Sequence, residues 1–220
     1  MQINSNRNFS REIYYYIITI CLCLLFLFIV LQLWSVDITI PFAYSGDAHG
    51  SQVNIKGMID NGWYTINPFL GAPMGYCSYD MTNNDHLNSI IQKFLTLIFP
   101  NWVVTVNIFY LLTFPLTAIT SYFTLRKMTI YPLPAILGSL LFTFIPFHFL
   151  RGQGHLVLSP YYLVPLIVLV IMWVFKGNLV FSQAKSVFKR KNVFSIIVCI
   201  ARGFVNRCVN VRHRQVLPPV

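Results

Sequence analysis

The residues of this chain that could do acid–base or ligating chemistry are few and crowded together. Six residues are acidic, and five of them, Asp37, Asp47, Asp60, Asp80 and Asp85, fall between positions 37 and 85, with Glu12 standing apart. Carboxylate chemistry therefore belongs to that stretch: proton abstraction by a positioned general base, or binding of a divalent cation by oxygen ligands. A second cluster, Phe147-His148-Phe149-Leu150-Arg151-Gly152-Gln153-Gly154-His155, gathers imidazole and guanidinium groups among glycines. No CxxC, no Cys/His spacing suited to zinc, no Gly-rich phosphate loop and no nucleotide-binding βαβ pattern occurs.

The elements that must position these groups follow from composition. Of 220 residues 56% are apolar, 16% aromatic and only 10% charged, against about 25% charged in a soluble domain. That excludes a water-soluble globule, and the apolar content excludes disorder. Five cysteines over this length do not make a disulfide scaffold. The formal net charge of +10 would suit a nucleic-acid partner if it were spread over a surface, but it is not. Residues after Leu125 hold twelve Lys or Arg and no acid, whereas 37–101 hold five Asp against Lys56 and Lys93. The expectation is an all-α integral membrane protein with membrane lipids, not nucleic acid, around it.

Four uncharged stretches, 13–36, 102–125, 133–150 and 159–175, are read as transmembrane helices, the last slightly short for a core of about 30 Å. Pro115, Pro146 and Pro165 inside them are expected to kink them. Basic flanks place the N-terminus (1–12), the Arg126-Lys127 turn and the tail 176–220 in the cytoplasm, with the loop 37–101 and Arg151 outside. The first span reads as a retained signal anchor, since its apolar region is too long for a cleaved signal and no small-x-small site follows. Cys77 alone lies outside, so no intrachain disulfide is expected.

A 65-residue loop between two spans is longer than connection requires. Ala48 to Asn61 reads as a helix with Asp47 near its N-cap and Asn61-Gly62 as its end. Leu87, Ile90, Ile91, Phe94, Leu95 and Ile98 recur at helical spacing, with Asn88, Ser89, Gln92, Lys93 and Thr96 opposite. This second helix is too short to span; it lies along the outer membrane surface or packs on the bundle. Between the two helices, NPFLGAPMG should be an ordered irregular loop.

Gly46-Asp47-Ala48-His49-Gly50 after a first span, the run Asn67-Pro68-Phe69-Leu70-Gly71-Ala72-Pro73, and the 147–155 cluster together resemble the N-terminal part of the GT-C membrane glycosyltransferases. That superfamily includes the protein O-mannosyltransferases and the lipid A aminoarabinose transferases, and has many bacterial members. The resemblance covers roughly residues 10–175. Ala48 stands where the mannosyltransferases carry a second acid, so the leading Asp matches but the mannosyl substrate does not carry over.

The resemblance implies inverting transfer of a sugar from a polyprenyl-phosphate donor to an acceptor hydroxyl on the outer face of the bacterial cytoplasmic membrane. Asp47 would be the general base, with capping of the following helix as its other reading. Asp80 and Asp85 are further catalytic candidates, although an acid at a helix N-terminus is favoured by the helix dipole whatever its function. The departing phosphate needs cations or hydrogen-bond donors, for which Arg151, His49, His155 and Lys56 are the substrate-binding candidates, with Lys93 and His86 behind them. Snorkelling is the other reading of Arg151. His148 reads as a polar group satisfied within the bundle, and Tyr161 and Tyr162 as interfacial aromatics. No cofactor or metal is expected, a divalent cation on the loop's Asp being the alternative.

From Gly177 the composition changes to a basic tail whose longest apolar run, 193–201, is too short to span. GT-C enzymes carry two to three times as many spans, so the chain is expected to be an N-terminal portion, with residues beyond about 180 truncated or frame-shifted. The alternative function is a non-enzymatic multispanning protein, a lipid-handling or transport subunit. The four spans contain no Asp, Glu, Lys or Arg, which counts against transport.

Overall fold

The computed structural model describes residues 2–77 and 85–175, which leaves the tail 176–220 and Asp80 outside the described residues. Its helices are α1 (Gln2–Val30), α2 (Ala48–Asn61), α3 (His86–Ile98), α4 (Trp102–Lys127), α5 (Pro132–Thr143) and α6 (Pro146–Arg151) in one unit, Met1–Tyr162. The described part of a second unit, Leu163–Val220, contains α7 (Val164–Phe175). Among the described residues three helices are long and apolar enough to cross a membrane: Ser10–Val30, Trp102–Lys127 and Pro132–Arg151.

The limits of these stretches differ from expectation in three places, each for a local reason. α1 ends at Val30 instead of running to 36 because Gln32 takes a φ of 50° and Ser35 returns both its N–H and its hydroxyl to the Gln32 carbonyl. The 133–150 span is interrupted at residues 144–145, ahead of Pro146, which has no N–H with which to continue the helix. Side chains repair the interruption. The Tyr161 hydroxyl lies 2.9 Å from the Phe142 carbonyl and 3.0 Å from that of Thr143, and His148 Nδ1 also reaches the Thr143 carbonyl, at 3.0 Å. Residues 159–162, which carry this hydroxyl, are not helical. α7 begins only at Val164 and, with 12 residues, is shorter than the fourth span expected. Tyr161 and Tyr162, expected at a membrane interface, are buried and hydrogen-bonded.

α4 is the spine, packed against α1, α2, α3 and α5. Phe109, Phe114, Ala118 and Tyr122 form its apolar seam with Cys23 and Leu27 of α1 and Ala135 and Leu140 of α5. Thr113, Thr117, Ser139 and Thr143 are fully buried, and each hydroxyl is returned to a carbonyl three or four residues back. Small polar residues of this kind let apolar helices approach closely without stranding a donor. α1 and α4 run antiparallel. Glu12 is bound by Arg126, and Tyr16 packs edge-on to Tyr122 with ring centroids 4.7 Å apart. At the opposite end the chain leaving α1 meets Asn107 near the start of α4.

The loop between α1 and α4 is folded. α2 has the limits read from the sequence and stops ahead of Gly62. NPFLGAPMG, expected to be irregular, is largely the turn of a two-stranded antiparallel ribbon, β1 (Ile66–Asn67) and β2 (Tyr76–Cys77), which pairs Ile66 with Cys77 and Asn67 with Tyr76. α3 also has its expected length, but its polarity points the other way from a helix in water. Asn88, Ser89 and Thr96 are buried, while Ile90, Phe94, Leu97 and Ile98 are exposed, Leu97 by 71%. The buried polar groups are satisfied: Asn88 accepts from the Tyr162 hydroxyl at 2.6 Å, and Ser89 and Thr96 donate to the carbonyls of Asp85 and Lys93; half-buried Lys93 donates to the Met58 carbonyl of α2 at 3.0 Å.

Asn107 is fully buried, and its amide nitrogen lies 2.8 Å from the carbonyls of both Ile38 and Ile40. Its oxygen accepts from Gln153 Nε2 at 2.6 Å and from the Phe42 N–H at 3.4 Å. Replacing it by Leu leaves the buried Gln153 amide without its acceptor, at about 1–3 kcal/mol, and also removes the bonds that tether Ile38, Ile40 and Phe42. Asn107→Leu is therefore expected to destabilise the fold by at least about 2 kcal/mol, read as a lowered thermal midpoint in detergent.

Candidate functional site

Two segments far apart in sequence meet at the Asn107 end of the bundle. The first leaves α1, passes Ile38 and Ile40 on Asn107, is held again where Gln52 of α2 donates to the Ala43 carbonyl at 2.8 Å, and turns at Gly46 into α2. Gly46 has a φ of 62°, a left-handed conformation that favours glycine. The second follows α6. Gly152 has a φ of 43°, and a Cβ there would lie 3.0 Å from the Phe149 carbonyl oxygen, so glycine is required. A single 3-10 turn, Gln153–His155, follows, with Gln153 tied to Asn107.

These two turns bring Asp47 and His155 together. Asp47 occupies the N-cap position of α2 as expected, but its side chain makes no capping bond. Its carboxylate Oδ2 instead lies 3.0 Å from His155 Nδ1. Asp47 is 80% exposed and His155 38%, so the pair is open to solvent. Beside it lies a groove of about 560 Å³ whose walls include Leu31, Phe42, Tyr110 and Phe149, with Arg151 among the lining residues. Ser45 and Gly154, close in sequence to the paired residues, also line it. The arrangement sets a proton-accepting pair next to an apolar groove with a guanidinium, which suits an amphiphile with an anionic group.

The other candidates sit elsewhere or are engaged. Arg151 is exposed, its guanidinium 5.8 Å from the centre of the Phe147 ring. His49 is exposed one residue into α2, with no hydrogen-bond partner among the described residues. Lys56 is paired with Asp60 one helical turn on, at 2.6 Å. Asp85 is the N-cap of α3, accepting from the Asn88 backbone and side chain. Asp80 lies outside the described residues. Asp37 closes its own turn with Thr39, whose hydroxyl and N–H hold the carboxyl below the usual range. Among the described residues no three His, Cys, Asp or Glu side chains gather as a bound cation would need. His148 is fully buried, stacked on Phe114 at 3.7 Å and 2.8 Å from the Thr113 hydroxyl.

Sequence reasoning missed Asn107 and Gln153, which position both arms of the site. The available signal was a lone Asn in an otherwise uncharged apolar stretch, where an amide has to find partners within the protein.

An exposed pair contributes little to stability, typically under about 1 kcal/mol. Asp47→Asn and His155→Gln are each expected to leave the thermal midpoint within the range of ordinary surface substitutions, about 0.5 kcal/mol. A loss as large as that of Asn107→Leu in the same assay would make the pair a structural brace.

No protein-family model, no curated protein and no solved structure matches this chain.

Proposed function

We propose that this chain is an integral membrane protein that transfers a sugar from a polyprenyl-phosphate donor to an acceptor hydroxyl on the outer face of a bacterial cytoplasmic membrane. The observation that carries the reading is the meeting of Asp47 with His155 beside a groove that Arg151 also lines. An inverting transfer needs a proton acceptor for the attacking hydroxyl, a cation for the departing phosphate and an apolar wall for the polyprenyl chain. The resemblance of the 46–50 and 147–155 motifs to GT-C enzymes points the same way.

In this reading the Arg126–Lys127 end of the bundle is cytoplasmic and the Asp47–His155 end faces outward, in keeping with the positive-inside rule. α3 then lies in the outer interface. Three residues, 99–101, separate it from α4, so its exposed row of Ile90, Phe94, Leu97 and Ile98 sits at the level where a span ends. The same apolar groove would also suit a lipid-handling protein with no chemistry; an exposed Asp–His pair that adds little stability favours the transfer reading.

One experiment separates these readings, and a second tests the placement of α3. Reconstituted protein is expected to turn over a member of a panel of polyprenyl-phosphate hexoses, and Asp47→Asn to abolish or severely reduce turnover at equal folded amounts. Lipid binding without turnover across the panel supports lipid handling instead. For α3, p-benzoylphenylalanine in place of Phe94 is expected to photocrosslink to phospholipid in proteoliposomes. Adducts confined to the protein itself would place that face against the bundle.

A further inference from the structure

We infer that His155 Nε2, not the carboxylate of Asp47, takes the proton from the acceptor hydroxyl, and that Asp47 is the positioning residue that holds the imidazole ready. The inference rests on the transfer reading above and assigns its proton-accepting atom.

The assignment follows from which atoms can donate. An ionised carboxylate only accepts hydrogen bonds, so the 3.0 Å contact between Asp47 Oδ2 and His155 Nδ1 requires the proton on Nδ1. In the neutral ring Nε2 then carries the free lone pair, as in Asp-His pairs that activate a hydroxyl. Nε2 has no hydrogen-bond partner among the described residues, and the side chain is 38% exposed. The ring is held from both sides: Gln153 ties the same 3-10 turn to Asn107, and Asp47 fixes Nδ1. Asp47 itself stands on a turn tethered by Asn107 and Gln52.

No competing charge is bonded to the imidazole. α2 and α4 pack against its turn. On α2 the titratable groups are His49, Lys56 and Asp60, the last two paired with each other. On α4 they are Tyr110, Tyr122, Arg126 and Lys127, of which Tyr122 and Arg126 are engaged by Glu12 at the far end of the helix. Arg151 precedes the turn and lies by the Phe147 ring.

The step balances without a further reactant. The acceptor O–H bond breaks and its proton goes to Nε2. The oxygen lone pair forms the new bond to the anomeric carbon, while the bond from that carbon to the phosphate oxygen breaks and its electron pair leaves on the polyprenyl phosphate. The imidazolium then returns its proton to the released phosphate or to water.

Two measurements test this, one independent of activity. In protein with ¹⁵N-labelled histidine, reconstituted in nanodiscs, the neutral His155 ring is expected to carry its proton on Nδ1, with the preference lost in Asp47→Asn. A ring protonated on Nε2 overturns the assignment whatever the activity. With a polyprenyl-phosphate hexose that the wild type turns over, His155→Ala is expected to lose about 100-fold or more in rate and to regain part of it with added imidazole, which a purely structural histidine would not. His155→Ala within a few-fold of wild type, or Asp47→Ala rescued by acetate while His155→Ala is not rescued by imidazole, makes Asp47 the base and overturns the inference. A wild type that transfers no sugar while showing the Nδ1 proton removes the catalytic role, and with it the transfer reading, while leaving the pairing intact.

Discussion

A buried amide needs partners for both its nitrogen and its oxygen, and much of this structure is arranged around how Asn107 finds them. Beyond the end of α1 the carbonyls of Ile38 and Ile40 have no helical donor, and the side-chain nitrogen of Asn107 supplies both. Carbonyls can only accept, so the orientation of the Asn107 amide is forced, and its oxygen must look the other way. There it meets the N–H of Phe42 and the amide nitrogen of Gln153. One donor–acceptor sequence thus runs from the exit of α1, through the middle helix, to the turn that presents His155. Reversing the Asn107 amide would set its oxygen against two carbonyl oxygens.

The two ends of the α1–α4 pair put their charged groups to different uses. At one end Glu12 and Arg126 satisfy each other, with Arg126 also donating to the Ile130 carbonyl at 2.5 Å. At the other, Asp47 is paired with His155, both partly or largely exposed, and Arg151 lines the neighbouring groove. Between the ends, the titratable side chain of His148 is sealed by Phe114, Thr113 and Tyr161. A bundle that closes its interior and leaves ionisable groups open at one end has placed them where chemistry can occur.

What was legible in the sequence depended on whether the signal was local. α2 and α3 were readable because turn residues and apolar spacing are written within the elements themselves, as Asn61-Gly62 and the Leu87–Ile98 periodicity show. The environment of each face was not. Periodicity says that α3 has an apolar side, but not that this side turns outward, because that depends on Tyr162 donating to Asn88 and Met58 accepting from Lys93 on its polar side. Asp47 was placed at its helix end correctly, yet its partner lies 108 residues away, and no local rule chooses that over capping. The break before Pro146 was foreshadowed by the proline, but the repair by Tyr161 was not, so the start of α7 came later than hydropathy suggested. Asn107 and Gln153 gave only a faint signal, one polar side chain each, whose importance lies entirely in what they touch.

The repair by Tyr161 has a consequence for the order in which the chain can be completed. As the polypeptide is synthesised, the segment 132–151 is made first, with the carbonyls of Phe142 and Thr143 left open by the proline. His148 can reach the second of these, but the hydroxyl that bonds both arrives only when residue 161 is added. A much longer interval, 108 residues, separates Asp47 from its imidazole partner until residue 155 exists. The bent helix and the site therefore wait, unfinished, on side chains translated after them, and the turns at 153–161 are the ones that lock both.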